Sequence, residues 1–251
     1  EENNSNEPMA SVLANNPEIY FVPPQRRSDW GKWEFKPGSY YDTTIGSQHP
    51  YWRDQDLPRP SKDIQRLRAD MLRWGYCKVE DALSAEQVAT VRQRVLDQAE
   101  GEQLAGIAQR TPSGQNINCC VNKGRCFELF TEQHPSIAQG GPLVEQLVTE
   151  ALGPGWICTS LIAAISLQGG VPQALHQDQN NNLDSRSPMS LNILTAITDV
   201  DEKTGGTLVI PGSHTVLADA VRAGEPVGKL PPAINIDAKA GTMVITDGRL
   251  L

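Results

Sequence analysis

Gln173-Ala174-Leu175-His176-Gln177-Asp178-Gln179 is the stretch on which the reading of this chain turns. In an extended segment, residues i and i+2 point to the same face. His176 and Asp178 therefore share one face, and Gln177 takes the other. An imidazole and a carboxylate side by side are two-thirds of a facial metal site, and this donor set suits Fe(II). A lone His-x-Asp pair is a weak signal, since it arises by chance in many chains. Its plain alternative is a solvated turn after Pro172.

Downstream, Thr204-Gly205-Gly206-Thr207-Leu208-Val209-Ile210-Pro211-Gly212-Ser213-His214 fits a tight turn, a strand and a second turn. From Gly155 onward the pattern is that of strands. Candidates are Trp156–Leu167, Leu175–Asp178, Ser190–Thr198, Thr207–Ile210, Ala233–Ile236 and Gly241–Thr246, punctuated by Gly, Pro, Asn and Asp.

Before Gly155 the pattern is helical. Ser61 can cap a helix that places Ile64, Leu67, Met71 and Leu72 on one face and stops at Gly75. Tyr76-Cys77-Lys78-Val79 reads as a short strand. Ser84-Ala85-Glu86-Gln87 is a capping-box signature, followed by Val88, Val91, Val95 and Leu96 at helical spacing. A third helix runs from Pro142 to Leu152, with Leu143, Leu147 and Leu152 inward and Gly153 as the stop. Helices first and closely spaced strands later imply an α+β arrangement. Helices would buttress a double-stranded β-helix barrel of the jelly-roll or cupin-like type.

Residues 1–60 are rich in Pro, Trp and Tyr without a clean period. They read as an irregular arm that packs aromatics onto the main domain, 61–251, or onto a second subunit, which makes a homodimer the expected assembly. The chain has 251 residues, 39% of them hydrophobic, and a formal net charge of −8. That charge, with scattered basic residues, argues against a nucleic-acid partner. No run of apolar residues is long enough to span a membrane, and the acidic start resembles no targeting peptide. The five cysteines show no zinc spacing and read as reduced thiols, consistent with a cytoplasmic protein.

Four motifs, taken in order, resemble the phytanoyl-CoA dioxygenase family. Arg73 to Gln87 is similar to its N-terminal signature of helix, Gly-aromatic turn, strand and capped helix. Leu175-His176-Gln177-Asp178 resembles its iron-binding strand. Thr198-Asp199 with Gly205-Gly206-Thr207 and Pro211-Gly212-Ser213-His214 resembles the next hairpin. Gly241 to Leu251 resembles the strand that leads to the distal histidine. The resemblance implies Fe(II) held by two His and one Asp, with 2-oxoglutarate as co-substrate. It implies oxidation of a small, largely apolar molecule, and Gln173 is most like members that modify secondary metabolites. Hydroxylation is the usual outcome; desaturation and ring chemistry are variants. CoA recognition is not implied, because no basic cluster for its phosphates is present.

On this resemblance His176 and Asp178 are metal ligands. Gln173 stands where related enzymes hydrogen-bond 2-oxoglutarate, and Thr207 where a hydroxyl reaches the co-substrate carboxylate. The alternatives are a surface Gln after Pro172 and an ordinary β-branched strand residue. Asn118 and Arg125 are weaker pocket candidates, while Phe127, Leu129 and Phe130 read as core. His214 follows a Pro-Gly-Ser turn and reads as a rim or turn residue rather than a ligand. His49 and His134 read as structural. The third ligand and the co-substrate arginine are expected beyond Leu251. If the protein lacks them, the rival reading is a catalytically inactive cupin-like scaffold. A third reading is a different metal or reaction on the same barrel, such as a cofactor-independent isomerase or hydrolase.

Overall fold

The computed structural model describes residues 50–130, 143–170, 173, 176–179, 188–215 and 233–251. The expected arm up to residue 49, with His49, and the segment holding His134 lie outside the described residues.

A single helical turn, α1 (Pro50–Arg53), carries Trp52 into the core, 2% exposed and edge-on to Trp74 with centroids 6.1 Å apart. β1 (Pro60–Ser61) then runs parallel to β2 (Tyr76–Val79). Between them lies α2 (Ile64–Trp74), which is capped by Asp63 and not, as the sequence suggested, by Ser61. The Asp63 carboxylate accepts from the Gln65 N–H at 2.9 Å. Ser61 is already engaged by the sheet, and its hydroxyl accepts from the Asp63 N–H instead. Leu67, Asp70 and Trp74 are the buried face of α2. Leu72, expected inward, is 79% exposed. Five residues past Leu67, it is rotated away by about 140° at the helical repeat.

Gly75 closes α2 in the left-handed region at φ 80°, its N–H donating to the Met71 carbonyl. α3 (Ala85–Leu104) opens on the full reciprocal capping box of Ser84 and Gln87 and buries Val88, Val91, Val95 and Ala99. Leu96 on its outer side is half-exposed. α4 (Leu143–Leu152) buries Leu147 and Val148, while Leu143 and Leu152 are half-buried. Arg68 of α2 donates to Glu150 of α4 and ties the two helices together.

The strands among the described residues form three sheets. The largest has the order β1-β2-β9-β6, with β9 (Met243–Asp247) antiparallel to both β2 and β6 (Leu191–Thr195). All five residues of β9 are buried, as befits a strand covered on both faces. β3 (Gln109–Thr111), β4 (Gly114–Ile117) and β5 (Ala163–Ser166) form an antiparallel meander. β7 (Leu208–Val209) and β8 (Ile234–Asn235) pair by themselves.

Among the described residues these sheets do not close into the expected barrel. The strands are also shorter than the apolar runs that announced them. Trp156–Leu167 enters a sheet only at Ala163; the stretch before it is largely exposed, though Leu161 packs against the core. The five cysteines are all free. Phe127 is buried, and Leu129 and Phe130 pack against the core, as their sequence implied.

Candidate metal centre

The segment carrying His176 and Asp178 joins no sheet as a regular strand, contrary to expectation, yet it keeps the alternation of one. Gln177 and Gln179 are buried at 2% and 7% exposure, whereas His176 and Asp178 are exposed. Polar bonds take the place of a ladder. The Gln177 side-chain amide donates to the Arg249 carbonyl. The Gln179 N–H donates to the Gly248 carbonyl at 2.7 Å. The Gln179 side-chain oxygen accepts from the N–H groups of Met189 and Ser190, at 2.6 and 3.2 Å. Most buried polar groups are partnered in this way; the Gln179 side-chain nitrogen has no hydrogen-bond partner among the described residues. Gly248 permits the close approach, since a Cβ there would lie 2.3 Å from the Ser190 hydroxyl and 3.0 Å from Gln179 Cβ.

This seat is itself anchored by an ion pair that the sequence reading did not find. Asp247 and Arg249 are both buried, with Arg249 Nε donating to Asp247 Oδ1 at 2.9 Å and Nη2 to Oδ2 at 2.5 Å. The Arg249 N–H adds a bond to the same carboxylate. A fork of this kind is the strong form of a charge-assisted pair. His214, expected as a rim or turn residue, follows the turn at Pro211 and Gly212 and is buried at 3% exposure beneath Gly75, not at a rim. Burial pushes its imidazole below the usual histidine range, against the pull of nearby Asp247 and a hydrogen bond with the Leu72 backbone. Its Nδ1 has no hydrogen-bond partner among the described residues.

On the open side, His176 Nε2 lies 3.3 Å from Asp178 Oδ1. Two bonds of about 2.1 Å set near a right angle would hold their donor atoms about 3 Å apart. The pair therefore fits one first-row metal ion with little movement. The other carboxylate oxygen, Oδ2, accepts from the side-chain amide of Asn192 on β6. No group of three or more His, Cys, Asp or Glu side chains that could hold a metal exists among the described residues.

The structure thus brings His176 and Asp178 together as their spacing implied. Gln173 is an exposed side chain upstream of them. Thr207 is exposed just before β7, where its carbonyl accepts from the Ile236 N–H at 2.8 Å. Asn118, which donates to Gln109, and Arg125 are both exposed. Asn192, Gln179, Asp247 and Arg249 escaped the sequence reading, which places Gln177 on the opposite face but gives it no role. A signal for two of them was present: glutamines alternating with the proposed ligands must lie on the inward face, where they need partners.

The family model described as "Phytanoyl-CoA dioxygenase (PhyH)" matches residues 71–251. No curated protein matches the chain. Among solved structures, AviO1 from Streptomyces viridochromogenes Tue57 is 15% identical, covering 76% of this chain and 87% of its own, with a TM-score of 0.54. SnoK, a non-haem alpha-ketoglutarate-dependent carbocyclase from nogalamycin biosynthesis, is 18% identical. That match covers 77% of this chain and 78% of SnoK, again with a TM-score of 0.54. At these identities the likeness is one of fold.

Proposed function

Because this chain belongs to the phytanoyl-CoA dioxygenase family, we propose that it is a non-haem iron enzyme dependent on 2-oxoglutarate, with His176 and Asp178 as two of its metal ligands. The fold is cupin-like, as in that family, and a jelly-roll barrel is the closure we assign to it. The observation that carries the reading is the 3.3 Å separation of His176 Nε2 and Asp178 Oδ1 on the exposed face of a segment whose alternate residues are buried.

Iron and 2-oxoglutarate, when bound, would let dioxygen act as the oxidant of an unactivated C–H bond, with 2-oxoglutarate oxidised to succinate and CO2 alongside. The chain's own contribution is to hold and orient. His176 and Asp178 present nitrogen and oxygen donors on one side of the ion and leave its other side open. Gln177 and Gln179 hold these donors in register from beneath. Gln173 and Thr207 supply polar contacts to the co-substrate.

The substrate is a small, largely apolar organic molecule of secondary metabolism. SnoK is a carbocyclase, which sets ring formation beside hydroxylation as an outcome for this chain. Nucleic acid is not a partner, and a homodimer is the assembly we favour. No helix among the described residues is long and apolar enough to cross a membrane.

The test is an anaerobic titration with Fe(II) and 2-oxoglutarate, followed by visible absorption. A charge-transfer band that appears in the wild type and is lost in His176→Ala and Asp178→Ala supports the assignment. Folded wild-type protein that shows no band, or variants that retain it, would overturn it.

A further inference from the structure

Asp178 offers two carboxylate oxygens, and the structure treats them differently. Oδ1 faces His176 Nε2 at 3.3 Å, whereas Oδ2 accepts from the Asn192 side-chain amide. We propose that Asn192 is a positioning residue that occupies one oxygen of Asp178 and so directs the other, Oδ1, to the metal beside His176. This inference rests on the proposed metal site.

The argument begins with where Asn192 sits. It lies in β6, in register with Thr246 of β9, the buried central strand of the four-stranded sheet. Asp178 sits on an irregular segment with an exposed side chain. Pairing with β9 fixes the Asn192 backbone, whereas Asp178 lies on a segment that joins no regular strand, so the amide lodged on Oδ2 ties the carboxylate to the sheet. The sheet therefore sets the carboxylate's orientation through Asn192.

Coordination chemistry gives this consequence. An ionised carboxylate has about four acceptor sites across its two oxygens and can grip a metal through one oxygen or both. Two-oxygen binding would consume a position that a facial site keeps open for co-substrate and oxygen. A donor already lodged on Oδ2 disfavours that mode. Asparagine suits the task because it donates without charge. An aspartate there would set two carboxylates against each other, and an aliphatic residue would leave Oδ2 free. Partners of this kind, which orient a ligand without touching the metal, typically change metal affinity about 10–100-fold when removed.

The experiment uses Co(II) as the metal probe and compares wild type, Asn192→Leu and His176→Ala. Co(II) affinity, the visible Co(II) spectrum, 2-oxoglutarate affinity and thermal melting are read in each. Leucine matches the shape of asparagine without its donor. Should the leucine variant melt well below wild type, Asn192→Ala replaces it. The expected result is melting close to wild type, Co(II) bound about tenfold or more weakly, an altered Co(II) spectrum and weaker 2-oxoglutarate binding. A purely structural role for Asn192 would leave the spectrum of the folded, metal-loaded variant unchanged.

If the Asn192 variant binds Co(II) with wild-type affinity and spectrum while His176→Ala has lost it, the positioning role is wrong and the metal site stands. If His176→Ala also binds as wild type, the site itself is wrong and the role of Asn192 falls with it.

Discussion

Gln177 donates its side-chain amide to the backbone carbonyl of Arg249, joining the residue between His176 and Asp178 to the turn that follows β9. Gln177 is 2% exposed, so this bond forms away from water. The two candidate ligands are in this way oriented from beneath by a part of the chain distant in sequence.

Gln177→Ala removes that tie. A buried carbonyl left without its donor costs about 1–3 kcal/mol, a loss that urea denaturation will measure. Metal affinity is expected to fall as well, because the alternation that exposes His176 and Asp178 depends on Gln177 staying inward. Co(II) titration of the folded variant checks that second effect.

Arg249→Met leaves the Asp247 carboxylate buried without its counter-ion. Breaking one side of a buried pair is expected to cost about 3–5 kcal/mol. The double variant Asp247→Asn, Arg249→Met is expected to recover most of that loss, since it no longer strands a charge. Denaturation midpoints of the single and double variants decide the matter.

His214 makes stability depend on pH. Its folded-state value is depressed, chiefly by burial, below the ordinary 6.5. The unfolded chain therefore takes up the proton first as pH falls. The associated stability is present above pH 6.5 and is lost as pH falls through the folded-state value. His214→Phe is expected to flatten this part of the stability profile. Denaturation of both proteins over a pH series below 6.5 provides the comparison.

Gly75→Ala is expected to be severe for two separate reasons. The backbone there is left-handed at φ 80°, and an added Cβ would lie 2.6 Å from His214 Nδ1 and 2.9 Å from Leu250 Cδ1. Left-handed strain of about 1–2 kcal/mol adds to overpacking of about 1–3 kcal/mol. A melting temperature within a degree or two of wild type would contradict this account.

Much of the architecture was legible where a local rule governs. Gly75 stops α2 because the left-handed turn favours glycine, and Ser84 with Gln87 opens α3 through a box written in four residues. The His176–Asp178 face was legible because alternation is a property of extended backbone whether or not a ladder forms. What stayed hidden depends on distant partners. Ser61 yielded its cap to Asp63 because β1 pairs with β2, a fact outside the local sequence. Asn192 looked like any polar residue in a strand until β6 was placed beside Asp178. His214 looked like a turn residue because nothing near it in sequence reveals that Gly75 and Leu250 lie against it.

The place of β9 between β2 and β6 also constrains how the protein is made. Tyr76 pairs with Thr246, so the central strand of the main sheet is synthesised long after the strand it must join. On the ribosome, β2 waits with one edge open while the intervening chain emerges. Pairings between such distant segments slow folding, and an unpaired apolar edge in the meantime invites aggregation. Yield of folded protein should accordingly respond to growth temperature and chaperone supply more than to changes at the exposed His176–Asp178 face.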